Sequence, residues 1–340
     1  MKISVFGTGG WGTAISVLLN SNGHEVVLWS AFEKEAKTLR ETRENPLLKG
    51  VKILESVEIT ADTDYAGKHA ELAVMAAPSF AVRSTAEKMK GRLKDSCIVV
   101  CISKGIERET SMRFSQILEE VLGDSVGIVS LSGPSHAEEV GRGIPTACVA
   151  AAKDHNLAKT VQKVFMNETF RVYTSTDIVG VEMGAALKNI IALCAGVCDG
   201  LGYGDSTIAM LVTRGLAEIG ELTVALGGRK ETLSGLAGVG DLIVTCTSVH
   251  SRNRRAGVLI GKGLSAEEAM QEVGAVVEGY YAANAAHELA RKAGVEIPIC
   301  EEAYKVLYEG KNAADTIKDL MCRAARPEFD DNEDNRRSIY

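Results

Sequence analysis

The sequence predicts an α/β protein, an N-terminal Rossmann-like, doubly wound and mainly parallel sheet followed by an all-α C-terminal domain. Three observations carry this. A glycine-rich turn, Gly7-Thr8-Gly9-Gly10-Trp11-Gly12, stands between a short apolar run and a helix-like one. Short β-branched runs then alternate with amphipathic stretches, the rhythm of βαβ units. Past about Ile178 those runs stop and long helical patterns replace them.

Taken in order, the expected strands are residues 3–6, 26–29, 72–76, 98–102, 128–131, 147–151 and 171–173. The first expected helix, 13–22, follows the glycine turn directly. An apolar, small-residue helix is expected over 181–198. Asp205 caps another that reaches Leu226 and stops at Gly227-Gly228, and Ser265 with Glu268 makes a capping box for the next. Pro298 suits the first turn of a helix closed by Gly310, and one more is expected over 312–325. The domains expected are therefore 1–178 and 179–325, with a charged tail at 326–340 too poor in apolar residues to pack.

Composition narrows the function. The chain has 340 residues, 46% hydrophobic and 24% charged, with a formal net charge of -7. That balance leaves no broad basic surface, so neither nucleic acid nor an anionic membrane is expected as a partner, and an anionic ligand needs a local cluster of cations. The opening MKISVFGTGG has no export signal, and no run of about 18 uncharged apolar residues is present. A cytoplasmic location is expected. The eight cysteines show no CxxC and no metal-ligand spacing, so they read as reduced packing residues and no metal is expected.

The glycine turn carries the first chemistry. Gly7 permits the tight turn, Gly9 lets a backbone approach a pyrophosphate and Gly12 lets helix and strand pack. The helix start, with Gly10 and Trp11, then supplies amides to the phosphates. Residues 1–178 are accordingly a dinucleotide-binding domain. A ribose-binding acid belongs at the end of the second strand, which reads Trp29-Ser30-Ala31-Phe32-Glu33-Lys34. Glu33 falls late for it. With no acid at Ser30 or Ala31 a 2′-phosphate meets no repulsion and has Ser30 or Lys34 to receive it, so NADP is favoured over NAD. Glu33 and Lys34 also read as solvated residues of a helix's first turn.

Lys188 is out of place in its apolar helix, flanked one turn away by Gly184, Ala185, Ile191 and Ala192. Desolvation disfavours an ammonium and lowers its pKa, as a general base near neutrality requires. The alternative is a lysine whose stem lies on apolar surface while its head reaches water. A second polar cluster joins Gly235 to Asp241, then Thr245, then Ser251-Arg252-Asn253-Arg254-Arg255. A guanidinium fork with serine and asparagine donors suits a phosphate monoester, and a solvated basic loop is the plainer reading. Lys104 and the turn Gly133-Pro134-Ser135 follow expected strands at their carboxyl ends, where open sheets bind ligands. His136 reads as a surface residue at a helix start.

These motifs together resemble the NAD(P)-dependent glycerol-3-phosphate dehydrogenases of the bacterial type. The likeness runs from the glycine turn to about residue 322. It rests on GxGxWGTA, the Asn45-Pro46 pair, Ala77-Pro78-Ser79, SKGIE at 103–107, LSGPSHAEEVGRGIPTA at 131–147, VEMGAALKNIIA, GLGYGDS, TRGLAEI, GLAGVGDLIVTCTS, SRNRR and VVEGYYAA. The resemblance implies that Lys188 passes the proton, with Asp241 and Thr245 orienting it. It implies substrate contacts at Lys104, Gly133, Ser135, Lys188, Asp241, Ser251, Arg252 and Asn253. It places the cofactor on Gly10, Trp11, Lys104, Ala137, Arg252, Val276 and Glu278. A hydride would move between the nicotinamide and C2 of a three-carbon phosphate while Arg252 and Asn253 anchor the phosphate. The resemblance also implies a homodimer and a supply of glycerol 3-phosphate for glycerophospholipid synthesis. Two positions depart from the pattern: Gly10 stands where serine is common, and Ala31 where a basic or polar residue is. A β-hydroxyacid dehydrogenase of the same plan would carry a carboxylate site in place of SRN, and a non-catalytic dinucleotide sensor would need neither the lysine nor the phosphate clamp.

Overall fold

The computed structural model describes residues 1–325 and 327–328; the remainder of the expected tail lies outside the described residues. Eight strands form one sheet: β1 (Lys2–Phe6), β2 (Glu25–Trp29), β3 (Glu58–Thr60), β4 (Leu72–Met75), β5 (Ile98–Cys101), β6 (Gly127–Ser132), β7 (Thr146–Ala151) and β8 (Phe170–Ser175). Their order is β3-β2-β1-β4-β5-β6-β7-β8. All neighbouring pairs are parallel except β6 and β7, so the last two strands run against the rest. From β1 the chain builds outward to β2 and β3, then returns to lay β4 on the other side of β1. That reversal opens a crevice at the carboxyl ends of β1 and β4.

The connecting helices are α1 (Gly10–Ser21), α2 (Glu33–Thr42), α3 (Thr63–His69), α4 (Val82–Met89), α5 (Phe114–Leu122), α6 (Ala137–Gly141) and α7 (His155–Phe165). They cover both faces of the sheet, as buried strands demand. Ile3, Val5, Leu28, Leu72 and Val74 fill one face, while Phe6, Val27, Trp29, Met75 and Val99 fill the other. Strand β3 escapes the sequence expectation because it has three residues and one buried apolar side chain, Ile59. No periodicity can be read from so short a run.

From residue 178 the described chain is helical: α8 (Ile178–Gly200), α9 (Asp205–Ala225), α10 (Asp241–Thr247), α11 (Arg252–Gly261), α12 (Ala266–Val273), α13 (Glu278–Ala293), α14 (Pro298–Tyr308) and α15 (Ala313–Met321). Helix α8 is the axis of this half. By length and hydropathy it could cross a membrane, yet 89% of its most apolar stretch is buried against the protein. Its amino end packs Ile178 and Val181 onto the sheet, and its remainder joins the helical core. Helix α11 lies against it backbone to backbone. A Cβ on Gly196 would fall 2.0 Å from the Arg254 carbonyl oxygen, and one on Gly257 would fall 2.0 Å from that of Leu193. Gly200 and Gly261 repeat the approach one turn on. Among the cysteines, Cys322 is exposed and Cys194 half-buried, while the other six are buried as expected.

Glu218 of α9 is buried and accepts the backbone N–H groups of Ile299 (2.8 Å) and Cys300 (3.2 Å), donors that the start of α14 leaves without partners. Burial pushes its carboxyl up to about 7, against these hydrogen bonds and the nearby Arg323 and Arg214. An acid whose folded pKa is raised keeps a proton that the unfolded chain releases near pH ~4.3, so its folded state loses stability as pH climbs from there to about 7. Glu218→Gln should therefore gain on the wild type by up to about 3 kcal/mol between acid and neutral pH. Urea unfolding of both proteins across that range checks it; a gap that stays constant with pH refutes the assignment.

Candidate active site

The glycine turn leaves β1 at the crevice. Gly7 has φ +131, and a Cβ there would lie 2.5 Å from the Ala76 carbonyl oxygen at the end of β4. Above Gly9 the space is open, and a Cβ there would meet no atom within 4 Å. Helix α1 starts three residues earlier than expected, so the amides of Gly10, Trp11 and Gly12 form its first turn and have no intrahelical acceptor. Those amides beside that open space fit a pyrophosphate. The serine-to-glycine departure at Gly10 has a cause: a Cβ there would lie 2.6 Å from the Leu47 carbonyl oxygen. It would also come within 3.8 Å of Ala137 Cβ, which brings the start of α6 to the same mouth.

Two strand ends and two helices converge on the ionic centre. Lys188, 5% exposed in α8, donates to Asp241 Oδ1 at 2.5 Å and to Thr245 Oγ1 at 2.8 Å. Thr245 in turn donates to the Asp241 carbonyl at 2.6 Å. Asp241 is 1% exposed and opens α10, directly after a π-helical turn at Leu236–Gly240. Such wide turns recur at functional sites, and this one sets Asp241 and Thr245 on the face of α10 that meets α8. Lys104, from the loop after β5, donates to Asp241 Oδ2 and to the Gly133 carbonyl, each at 2.9 Å.

Desolvation lowers Lys188 to about 8; Asp241 opposes that fall and the Lys104 ammonium adds to it. For Asp241 burial works upward, and the two ammonium groups outweigh it, holding the carboxyl below its ordinary value. The centre is thus a carboxylate shared by two cations, one of which is poised to exchange its proton near neutrality.

The remaining sequence candidates lie in the loop after β6 and around the starts of α11 and α13. Ser251 caps α11 through Arg254 N, and Arg252 is exposed with no hydrogen bond or ion pair among the described residues. Arg254 is committed to Asp199. Asn253 is buried, donates to Asn189 Oδ1 at 2.9 Å and accepts from Gly279 N at 2.8 Å. Its carbonyl is therefore spent on joining α8, α11 and α13, and one amide hydrogen is left to face a ligand. Ser135 donates to the Gly133 carbonyl at 3.1 Å, the same oxygen that receives Lys104. Glu278 accepts from Ser79 Oγ at 2.7 Å, and a Cβ on Gly105 would lie 3.4 Å from its Oε2, so α13 meets the loops after β4 and β5. Burial raises Glu278, with Ser79 and Arg252 opposing. Val276 is half-buried in the loop before α13.

Sequence reasoning passed over several polar residues that the structure places around this centre or at the glycine turn. His136 is not the surface residue it resembled: its Nε2 is buried without a hydrogen-bond partner among the described residues, and burial lowers its pKa. Asn189 and Ser79 stand inside the VEMGAALKNIIA and Ala77-Pro78-Ser79 motifs, yet the sequence assigned neither a contact. Glu35 receives hydroxyl hydrogen bonds from Thr8, at 2.6 Å, and from Ser30.

Two family models match the chain: NAD-dependent glycerol-3-phosphate dehydrogenase N-terminus over residues 2–158, and C-terminus over residues 177–318. The chain is 55% identical over 323 residues to glycerol-3-phosphate dehydrogenase [NAD(P)+] of Moorella thermoacetica, covering 95% of this chain and 96% of that one. It is 49% identical over 331 residues to the enzyme of that name from Fusobacterium nucleatum, covering 97% and 99%. Among solved structures, glycerol-3-phosphate dehydrogenase from Coxiella burnetii superposes with a TM-score of 0.90 at 33% identity, covering 94% of this chain and 98% of that one.

Proposed function

The chain belongs to the NAD-dependent glycerol-3-phosphate dehydrogenase family, and from that premise we propose how its residues divide the work of the reaction. It is an oxidoreductase that interconverts sn-glycerol 3-phosphate and dihydroxyacetone phosphate with NAD or NADP. In our reading residues 1–178 hold the cofactor, and residues 179–325 hold the catalytic amine and the substrate's phosphate. A bound nicotinamide supplies the hydride in one direction and takes it in the other.

One observation carries the assignment of roles: Lys188, buried, is fixed between Asp241 and Thr245 with its ammonium drawn down to about 8. It donates a proton to the C2 oxygen when the ketone is reduced and takes it back when the alcohol is oxidised. Asp241 and Thr245 hold its Nζ in place. Lys104 and the Gly133–Ser135 turn border the same space, and Arg252 with the first amides of α11 receives the phosphate. Anchoring the non-reacting end turns binding energy into orientation at C2. The Asp241–Lys188–Lys104 set, together with an arginine that has no ion pair among the described residues, favours a phosphorylated substrate over a β-hydroxyacid or a sensor role. The reading extends, on family likeness, to a cytoplasmic homodimer that supplies glycerol 3-phosphate for glycerophospholipid synthesis.

The test is the pH dependence of both directions, followed through the reduced-nicotinamide absorbance. Ketone reduction needs the protonated amine and should fall as pH rises through about 8; alcohol oxidation needs the free amine and should rise over the same interval. Profiles flat between about 7 and 9 in both directions remove Lys188 from the proton step.

A further inference from the structure

We infer that Glu35 sets this enzyme's choice of dinucleotide, in favour of NAD(H), by occupying with a carboxylate the place where the 2′-phosphate of NADP would lie. The inference rests on the cofactor reading above and deepens it.

In a sheet of this plan the acid that binds the adenosine ribose is expected at the end of the second strand, where this chain has Ser30. The structure supplies an acid there from elsewhere. Ser30 is fully buried; its Oγ accepts from Phe32 N at 3.2 Å and donates to Glu35 Oε2 from the next helix. Thr8, inside the glycine turn, donates to the same Oε2 at 2.6 Å. The turn is itself pinned from behind, since Asn45 Nδ2 donates to the Thr8 carbonyl at 2.7 Å and to Thr13 Oγ1 at 2.6 Å. Two hydroxyls from two elements thus draw the Glu35 carboxylate onto the junction of the glycine turn and the end of β2. Its Oε1 has no hydrogen bond among the described residues.

A carboxylate in that place accepts from a ribose 2′-hydroxyl and repels a phosphate dianion at short range. The nearby arginines do not offset it. Arg40 is engaged with Glu33 and the Ile59 carbonyl, and Arg43 with Glu55 and the Val57 carbonyl. Phe32, 70% exposed at the cap of α2, offers an unburied aromatic face beside the ribose position, suited to an adenine ring. Lys34 is the rival: exposed and without an ion pair among the described residues, it is one of the two side chains, with Ser30, that the sequence offered to a 2′-phosphate.

The experiment is a titration of the full-length protein with NADH and with NADPH, read from quenching of Trp11 and Trp29, the chain's two tryptophans. NADH is expected to bind at least ~10-fold more tightly than NADPH, with the ratio falling toward one in Glu35→Gln and in Glu35→Ala and unchanged in Lys34→Ala. Equal or tighter binding of NADPH by the wild type overturns the inference, as does a ratio that survives both Glu35 substitutions. In either case turnover of dihydroxyacetone phosphate with one of the nucleotides leaves the dehydrogenase reading standing. Binding of neither nucleotide overturns both together.

Discussion

Replacing Lys188 by methionine is expected to lower turnover at least ~100-fold in both directions while the protein stays folded and binds its nucleotide as before. Methionine matches the length and apolar character of the lysine stem, so the packing of α8 around Gly184 and Ile191 is kept. The ionic centre survives as well. Asp241 retains the Lys104 ammonium at 2.9 Å, so removal of one cation does not strand a buried carboxylate. What is lost is the proton carrier, and with it the pH dependence near 8. Steady-state rates, with nucleotide affinity measured separately, check this. A variant within about tenfold of wild type would mean that Lys188 is not the proton carrier.

The second large effect is structural. Gly257→Val should destabilise the protein by at least about 3 kcal/mol, because no rotamer can relieve a Cβ placed 2.0 Å from the Leu193 carbonyl oxygen and 2.9 Å from Val197 N. The helices must separate. Helix α11 carries Ser251, Arg252 and Asn253 at its start, and Asn253 is tied to Asn189 beside Lys188. Any folded fraction should consequently show a raised KM for the phosphorylated substrate. Urea midpoints and KM, set against Gly220→Ala in α9, where a Cβ meets only ordinary contacts at 3.6 Å and beyond, separate this from a general intolerance of substitution at helical glycines.

Much of the architecture could be read in the chain because its signals are local. Seven of the eight strands are short apolar runs, and the glycine turn, Lys188 and the Ser251–Asn253 run each announce themselves within a few residues. What escaped depends on distance. The reversal of β7 and β8 leaves no mark on a strand's own composition. Glu35 reads as an ordinary first-turn acid until α2 folds back on Thr8 and Ser30. Asn253 has the chemistry of a phosphate donor, and only the meeting of α8, α11 and α13 shows that its carbonyl is already engaged. The glycines of α8 and α11 look like weak points in a helix until the two backbones are seen in contact.

Lys104 reaches Asp241 from the sheet half of the chain, while Lys188 reaches it from the helical half. Shape and proton affinity are therefore thermodynamically linked. If the two halves part, Lys104 leaves Asp241, and one of the influences that depress the Lys188 ammonium goes with it. By reciprocity, loss of the Lys188 proton leaves Lys104 as the sole cation on a buried carboxylate and strengthens the cross-link between the halves. A parting of the two halves would thus leave the amine holding its proton more firmly, and their meeting would draw that proton off more readily.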